Sequence, residues 1–333
     1  MIGRHRASEL VSRFRDGRVL VMGDLILDRY VWGSVTRISP EAPVPVVHVS
    51  REHLQLGGAA NVARNVRSLG GEAIAAGLRG EDANGRELQA ALEAQGIATD
   101  GVVACAERQT TVKTRVVAER QQVVRVDRED TAPCPAPAES ALVAKIGAIA
   151  GTVNAVVIED YGKGAVTPAT ARAALEAGTA GGATVGLDPK DNRELGLCGL
   201  SLATPNYREA CLAAGIPETP LGEDPLRDSP LTDLCRVLRE AWDVGLLIVT
   251  LGARGMCLAD REDKPRIIGT RAKEVFDVSG AGDTVIAAAT LALACGATHE
   301  EAAELANHAA GVVVGKLGTA TCDASELLES IEP

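Results

Sequence analysis

Aromatic side chains are scarce in this chain: 2 Trp, 3 Tyr and 2 Phe among 333 residues, 2% in all. That leaves no stacking platform for nucleic-acid bases. With 46% hydrophobic residues overall, the core must be built from Ala, Val, Leu and Ile, which suits helices packed on a buried parallel sheet. Basic charge is also short, with 34 Lys and Arg against 45 Asp and Glu and a net charge of −11. Nucleic acid and anionic membranes are therefore not expected partners, whereas a small anionic substrate needs only a local basic pocket. The eight cysteines include no C-x-x-C pair and the five histidines no H-E-x-x-H, so reduced core thiols are expected and a zinc site is not. No apolar run is long enough to span a bilayer, and the first residues form no apolar signal region. The expectation is a soluble, cytoplasmic protein. Two nucleotide motifs are missing as well. The run Gly311-Val-Val-Val-Gly315-Lys316 is one residue short of a Walker A loop and lacks its Ser/Thr, and no G-x-G-x-x-G follows the first strand.

What is present centres on Asp277-Val-Ser-Gly-Ala-Gly-Asp-Thr284, which passes directly into an apolar run. Small residues before such a run fit a loop feeding a helix N-terminus, where free N–H groups and the helix dipole favour an anion such as phosphate. Asp283 would repel that anion unless it has chemistry to do. A carboxylate near a helix N-terminus is expected to stay ionised and can take a proton from a hydroxyl that attacks phosphorus. Gly-Asp ahead of a helix also reads as a plain capping turn.

Along the chain, residues 8–16 read as a short helix capped by Ser8, and residues 18–22 as a buried strand. The strand ends at Gly23-Asp24 and resumes with Asp28, placing both acids near the carboxyl edge of a sheet. Prolines at 40, 43 and 45 mark extended, edge-type structure. Gly57 and Gly58 precede a helix with Asn61 in its first turn. A strand (72–78), a loop (79–85) and a helix (86–95) follow. Residues 102–103, 110–117 and 122–126, with Lys113, Arg115, Arg120 and Arg125, read as strands of a small β-rich flap shared with residues 30–49. A linker-like turn at Pro133 to Pro137 leads into a helix ending at Ile149, and from there a βα rhythm runs to two long helices after Gly282, implying a mostly parallel sheet with helices on both faces. The strand ends carry polar groups in series: Asp160 to Lys163, Asp188 to Lys190, Asn206 to Glu209, and Thr250 to Gly252.

With these residues in view, Asp277-Val-Ser-Gly-Ala-Gly-Asp-Thr284 and Gly57-Gly-Ala-Ala-Asn61 resemble the two signatures of the ribokinase (PfkB) carbohydrate kinases. Longer stretches resemble more closely the D-glycero-β-D-manno-heptose-7-phosphate kinases of lipopolysaccharide-core precursor synthesis. They are Gly23-Asp-Leu-Ile-Leu-Asp-Arg-Tyr30, Arg37-Ile-Ser-Pro-Glu-Ala-Pro-Val-Pro-Val46, Asp160-Tyr-Gly-Lys-Gly164, Asp188-Pro-Lys190 and Gly311-Val-Val-Val-Gly-Lys-Leu-Gly-Thr319.

The resemblance implies a ribokinase-like α/β fold, with an N-terminal helix over residues 1–17 and a kinase domain over 18–330. Lid segments are expected at about 30–50 and 102–127. No H-x-G-H motif is present, so a stand-alone kinase without a nucleotidyltransferase is expected. The implied reaction phosphorylates the anomeric C1 hydroxyl of the heptose 7-phosphate from ATP with Mg²⁺, K⁺ being a further candidate cofactor. Asp283 is the implied base and Gly280, Ala281 and Gly282 the anion hole. Asn206, Glu209, Thr250, Gly252 and Asn307 fall to ATP and Mg²⁺, and Asp28, Gly57, Gly58, Asn61 and Asp160 to the sugar. Lys163, Lys190, Arg115 and Arg125 are the unranked candidates for the sugar phosphate. Asp277, Ser279, Val313, Lys316 and Gly318 match a monovalent-cation loop, with Cys322 where relatives often carry Ser. A homodimer is the implied assembly. The alternatives are a kinase of the same family acting on another sugar, sugar phosphate or nucleoside, and a non-catalytic sugar-phosphate-binding protein.

Overall fold

The computed structural model describes residues 2–119, 121–190, 195–261, 264–272 and 274–331. In chain order the first strands are β1 (Arg18–Gly23), β2 (Leu25–Ile38), β3 (Pro45–Gly58), β4 (Glu72–Gly80), β5 (Ala98–Cys105), β6 (Val112–Ala118) and β7 (Gln121–Arg128). They continue as β8 (Ala155–Glu159), β9 (Thr184–Asp188), β10 (Leu202–Ala203), β11 (Leu246–Thr250), β12 (Met256–Asp260) and β13 (Arg266–Ile268). The helices are α1 (Arg4–Arg13), α2 (Ala59–Ser68), α3 (Ala83–Ala94), α4 (Ala136–Ala150), α5 (Pro168–Ala180) and α6 (Tyr207–Ala214). Then come α7 (Pro225–Asp228), α8 (Leu231–Trp242), α9 (Ala281–Ala294), α10 (His299–Val314) and α11 (Ala324–Ser330).

The interior of β1 is apolar throughout, so the strand has to be covered on both faces. Val19 and Val21 join one buried cluster with α2, α9 and α10, while Leu20 and Met22 join another with α4, α5, α6 and α8. This is the two-sided burial of a large sheet with strand order β13-β12-β11-β10-β9-β8-β1-β4-β5. Neighbours from β11 to β5 run parallel, and β12 and β13 are antiparallel additions at one edge. The helix α9 is apolar nearly all round and buried to match. Its small residues let it lie close on β9: a Cβ on Gly186 would stand 2.8 Å from Thr290 Oγ1.

A second sheet, β3-β2-β6-β7, stands off the first as a flap. The strands β2 and β3 are 14 residues each and run far beyond the 30–50 stretch, with the prolines at the turn between them. Gly58 ends β3 at φ 55°, where a Cβ would meet Asp24 O at 2.5 Å, so the chain turns from flap into α2 only with glycine here.

The structure corrects several expectations. Val102 and Val103 belong to β5, which pairs with β4 at the edge of the large sheet, so the second flap segment begins at Val112 rather than at residue 102. Alternating burial in β5 looks the same from sequence whichever sheet receives it. The first helix starts at Arg4 with Gly3 as its N-cap, so Ser8 lies inside it. Its residues Ala7, Leu10 and Val11 join the main core rather than forming a separate unit. The helix α3 starts at Ala83 because the Asp82 side chain accepts from Gly85 N at 2.7 Å. The amphipathic helix α8 extends the expected rhythm. Arg120 lies outside the described residues.

Candidate active site

The carboxyl edge of the large sheet, the start of α9 and the inner face of the flap meet at Asp283. Gly280, in the left-handed region at φ 78°, turns the chain into α9, and a Cβ there would stand 2.9 Å from Asn61 Nδ2. Ala281, Gly282 and Asp283 occupy the first turn, where N–H groups lack intrahelical partners. Asp283 is 3% exposed and its carboxylate accepts from Asn61 Nδ2 at 2.6 Å and from Tyr161 OH at 2.8 Å. Burial pushes its carboxyl above the usual range, and those two hydrogen bonds oppose the rise without cancelling it. The helix N-terminus therefore does not hold this carboxyl at or below its usual range, where the sequence reading places it. Burial and the nearby Asp283 charge push the Tyr161 hydroxyl well up, so it stays protonated as a donor.

The sugar-facing residues expected from sequence gather on the other side of Asp283. Asn61 is 0% exposed, and its Oδ1 has no hydrogen-bond partner among the described residues, an acceptor open to a ligand hydroxyl. Asp28 is buried on β2 and pairs with Arg115 of β6. Gly57 adjoins it, and a Cβ there would lie 2.6 Å from Asp28 Oδ2. Asp160 Oδ1 accepts from Gly162 N at 2.8 Å. The loop after β8 is pinned by Asp24, whose carboxylate accepts from the backbone N–H of Tyr161, Lys163 and Ala165, each at 2.9 Å.

The four cationic candidates are all paired. Besides Arg115, Lys163 Nζ sits 2.8 Å from Glu129, Arg125 sits 2.9 Å from Asp127, and Lys190 Nζ sits 3.2 Å from Glu209. The pair with Glu209 sets Lys190 on the α6 side of the site rather than on the flap.

Beyond α9, a cavity of about 210 Å³ is lined by Thr250, Gly252 and Asn307 together with Ala281 and Gly282. Its walls are otherwise mostly apolar, with Met256, Val275, Val278 and Val285 among them. Asn307 Nδ2 also donates to Gly269 O at 2.8 Å. Asn206 and Glu209 form the capping box of α6: Asn206 Oδ1 accepts from Glu209 N at 2.9 Å, and Glu209 Oε2 from Asn206 N at 3.0 Å. Glu159 and Asp188, paired in register at the ends of β8 and β9, lie beneath this rim. Glu159 is 0% exposed, and among the described residues its carboxylate oxygens have no well-formed hydrogen bond, only the neighbouring Asp188 carboxyl to interact with. Burial pushes both acids up; the next cause is the Asp188 charge for Glu159 and the Glu209 charge for Asp188.

The expected cation loop is partly assembled. Asp277 Oδ1 accepts from Ser279 N at 2.9 Å and Oδ2 from Gly318 N at 3.0 Å. Burial would raise this carboxyl, yet those hydrogen bonds hold it below the usual range. Val313 O accepts from Lys316 N, and the Lys316 ammonium turns to Thr321 O at 2.7 Å and Glu326 at 2.5 Å.

Three groups at the site gain a place there that the sequence reading does not give them, although Tyr161 and Lys113 lie in stretches it singles out. Tyr161 holds Asp283. Arg64, one turn after Asn61, donates to Thr319 O and carries a charge that lowers the Asp283 pKa. Lys113 lies 5.8 Å from the centre of the Tyr161 ring. Helical spacing from Asn61 could have flagged Arg64, whereas the other two depend on packing between separate elements.

The sequence profile of the pfkB family carbohydrate kinases matches residues 16–326. The chain belongs to that family. That family is described as one of carbohydrate kinases. It is 42% identical over 328 residues to the bifunctional protein HldE of Pelobacter propionicus, covering 98% of this chain and 66% of that protein. With HldE of Caulobacter sp. (strain K31) it shares 44% over 321 residues, 96% of this chain and 64% of the relative. The pfkB-family chain thus spans just under two thirds of those relatives' length. Its ribokinase-like fold is shared with solved structures at about 20% identity. Arabidopsis thaliana ribokinase complexed with ribose and ATP aligns with a TM-score of 0.70, covering 95% of this chain and 99% of that one at 20% identity. Escherichia coli phosphofructokinase-2 in complex with potassium gives 0.74 over 94% and 97%, also at 20% identity. Among the described residues, no helix is long and apolar enough to cross a membrane.

Proposed function

We propose that this kinase phosphorylates the anomeric C1 hydroxyl of D-glycero-β-D-manno-heptose 7-phosphate, giving the 1,7-bisphosphate on the route to ADP-heptose. The observation that carries the phosphoryl-transfer chemistry is the placement of Asp283. One buried carboxylate stands at the start of α9, with the unpartnered Asn61 Oδ1 on one side and the apolar cavity of Thr250, Gly252 and Asn307 on the other. The heptose assignment is supported by the motif resemblance and by the identity to proteins named HldE.

In this reading the sugar lies between the flap and α2, with hydroxyls met by Asn61, Asp28, Asp160 and the backbone at Gly57 and Gly58. The nucleotide base takes the cavity, and the phosphates point at the N–H groups of Gly280, Ala281 and Gly282. Asp283 accepts the proton as the C1 oxygen bonds to the γ-phosphorus and the bond to the ADP oxygen breaks. The first-turn dipole of α9 meets the charge on the transferring group. Mg²⁺, when bound, neutralises phosphate charge. Among the described residues no three of His, Cys, Asp and Glu are arranged to hold a metal ion by themselves, so Glu159, Asp188 and Glu209 are the rim acids that would face a cation carried in on the ATP phosphates. Asp277, Ser279, Val313 and Gly318 are the groups that would hold K⁺, and the Lys316 ammonium stands beside them.

We further propose a cytoplasmic homodimer joined through the flaps. The edge strand β7 is exposed throughout, and Val124 and Val126 on it are 47% and 49% exposed. Val124→Asp is expected to turn a dimer into a monomer in sedimentation; a monomeric parent chain removes this part of the proposal.

The deciding experiment is ADP release from Mg·ATP with heptose 7-phosphate, sedoheptulose 7-phosphate, fructose phosphates, ribose and adenosine, each with and without K⁺. Selective turnover of heptose 7-phosphate to a 1,7-bisphosphate is the expected result. Turnover of another acceptor alone discards the heptose assignment, and no turnover with any of them favours a binding protein.

A further inference from the structure

Three separate parts of the molecule meet at Thr319, a buried residue in the loop after α10. Its hydroxyl donates to Gln55 Oε1 of β3 at 2.5 Å, which fastens the flap to this loop. Its carbonyl accepts from the Arg64 guanidinium of α2. Its side chain also packs near the turn into α9: a Cβ on Gly280 would stand 3.6 Å from Thr319 Cγ2. Gln55 is the register partner of Asp28, so the fastening point lies one strand from an acid placed against the sugar.

Arg64 reaches Thr319 from the face of α2 that carries Asn61 and Asn65. Spaced i, i+3 and i+4, the three share one side of the helix. Asn61 holds Asp283, and Asn65 Oδ1 accepts from Thr284 Oγ1 at 3.0 Å, so that side is turned to the first turn of α9. Among the described residues Arg64 has no ion pair, and its buried Nε has no hydrogen-bond partner. Burial pushes its guanidinium down from the usual value, against the opposite pull of the Asp283 and Asp28 charges. The Thr319 carbonyl is therefore the contact that fixes where this guanidinium points. The titratable groups bearing on Asp283 are Tyr161 after β8, Asp28 on β2, Glu159 on β8, Asp188 on β9 and Arg64. Arg64 is the cation among them.

We infer that Arg64 is a positioning residue that makes the Asp283 base depend on the docked flap. With β3 fastened to Thr319, the guanidinium is held where its charge favours the ionised carboxylate. With the flap released, Thr319 loses its tie to Gln55, the guanidinium loses its anchor, and the buried acid holds its proton more tightly. Asp283 is thus ready to take a hydroxyl proton when the acceptor side is closed. This inference rests on Asp283 being the base, not on which sugar is the acceptor.

The test is the pH profile of kcat/KM with Mg·ATP, using the full chain and whichever acceptor of the panel it turns over. Arg64→Met removes a charge that lowers the Asp283 pKa, so the acid limb is expected to move up by about one pH unit. The loss is then about tenfold below that limb and fades above it, with KM for ATP within a few-fold of wild type. Arg64→Lys, which keeps the charge, should return the limb most of the way. Neither Thr319 nor Gln55 is a hydrogen-bond partner of Asp283. Thr319→Val and Gln55→Met should nevertheless move the same limb the same way, by a smaller amount. Combined with Arg64→Met they should add nothing further. A thermal scan accompanies each variant, and Arg64→Gln replaces Arg64→Met if the latter does not fold. A profile that folded Arg64→Met lowers without moving its limb overturns the inference, because lost packing accounts for that. Movement with Arg64→Met but with neither Thr319→Val nor Gln55→Met overturns it too, since the flap then has no hold on the base. Near-normal turnover by Asp283→Asn, or none by wild type, discards the base assignment and this inference together. An inactive Asp283→Asn beside an unmoved Arg64→Met limb sinks this inference alone.

Discussion

The rim at the start of α9 and the flap that faces it are built from different materials. On the rim the groups aimed at a ligand are backbone N–H donors, small residues and an apolar wall, and the helix behind them is part of the main core. On the flap they are side chains, and charged ones: Asp28 with Arg115, Asp127 with Arg125, Glu129 with Lys163. The strand β7 is exposed along its whole length, whereas α9 is buried along most of its own. A site made of backbone and small residues can serve any nucleotide triphosphate, because every such ligand brings the same phosphates. A site made of paired charges can tell one acceptor from another, because the pairing decides which cation stays available. In the proposed reading, general chemistry sits on one side of Asp283 and selectivity on the other.

The largest expected effect comes from removing the one group both sides share. Asp283→Asn keeps the shape of the rim and leaves the cavity of Thr250, Gly252 and Asn307 untouched. Turnover is expected to fall by about 10²–10⁴, with ATP affinity within a few-fold of wild type. ADP release and nucleotide titration read the two quantities separately. Turnover within tenfold of wild type would remove Asp283 as the base, and with it the idea that the two sides meet there.

A smaller change tests the link between the sides. Tyr161 belongs to the loop pinned by Asp24, touches Lys113 with its ring and holds Asp283 with its hydroxyl. That donation lowers the Asp283 pKa against the rise caused by burial. Tyr161→Phe therefore lets the Asp283 pKa climb further, and the acid limb of kcat/KM should move to higher pH. The expected loss at neutral pH is about tenfold, shrinking as pH rises. A pH profile that keeps its shape and only drops in height would make Tyr161 a packing residue.

The same contrast explains what could be read from the chain. The rim residues Thr250, Gly252, Asn307, Ala281 and Gly282 were all nameable, and they line one cavity. Their places follow from strand ends and a helix start, which local patterning encodes. Lys163, Lys190, Arg115 and Arg125 were equally visible as cations, but nothing local says that each faces a carboxylate. Those partners come from register between β2, β6 and β7 and from loops brought together by the fold. Val102 and Val103 show the limit for the backbone too, since their alternation fits an edge strand of either sheet.

The smallest expected effect concerns the floor of the rim. Glu159 and Asp188 are both raised, chiefly by burial, with Asp188 charge the next cause for Glu159. A carboxyl whose folded pKa exceeds its unfolded one holds a proton that the unfolded chain releases. Its contribution to stability is thus full below the unfolded pKa and is lost as pH rises through the folded one. Glu159→Gln is neutral at every pH and should escape that loss. Without Mg²⁺, wild type should lose more Tm than the variant between pH 5 and pH 9, by about 2–4 °C. Added Mg²⁺ should narrow the gap by stabilising the ionised wild type, because the unpartnered Glu159 oxygens then gain a cation. Parallel Tm curves for the two proteins would mean that these acids are not strained at neutral pH. A gap that Mg²⁺ leaves unchanged would mean that Glu159 does not face the cation bound with ATP.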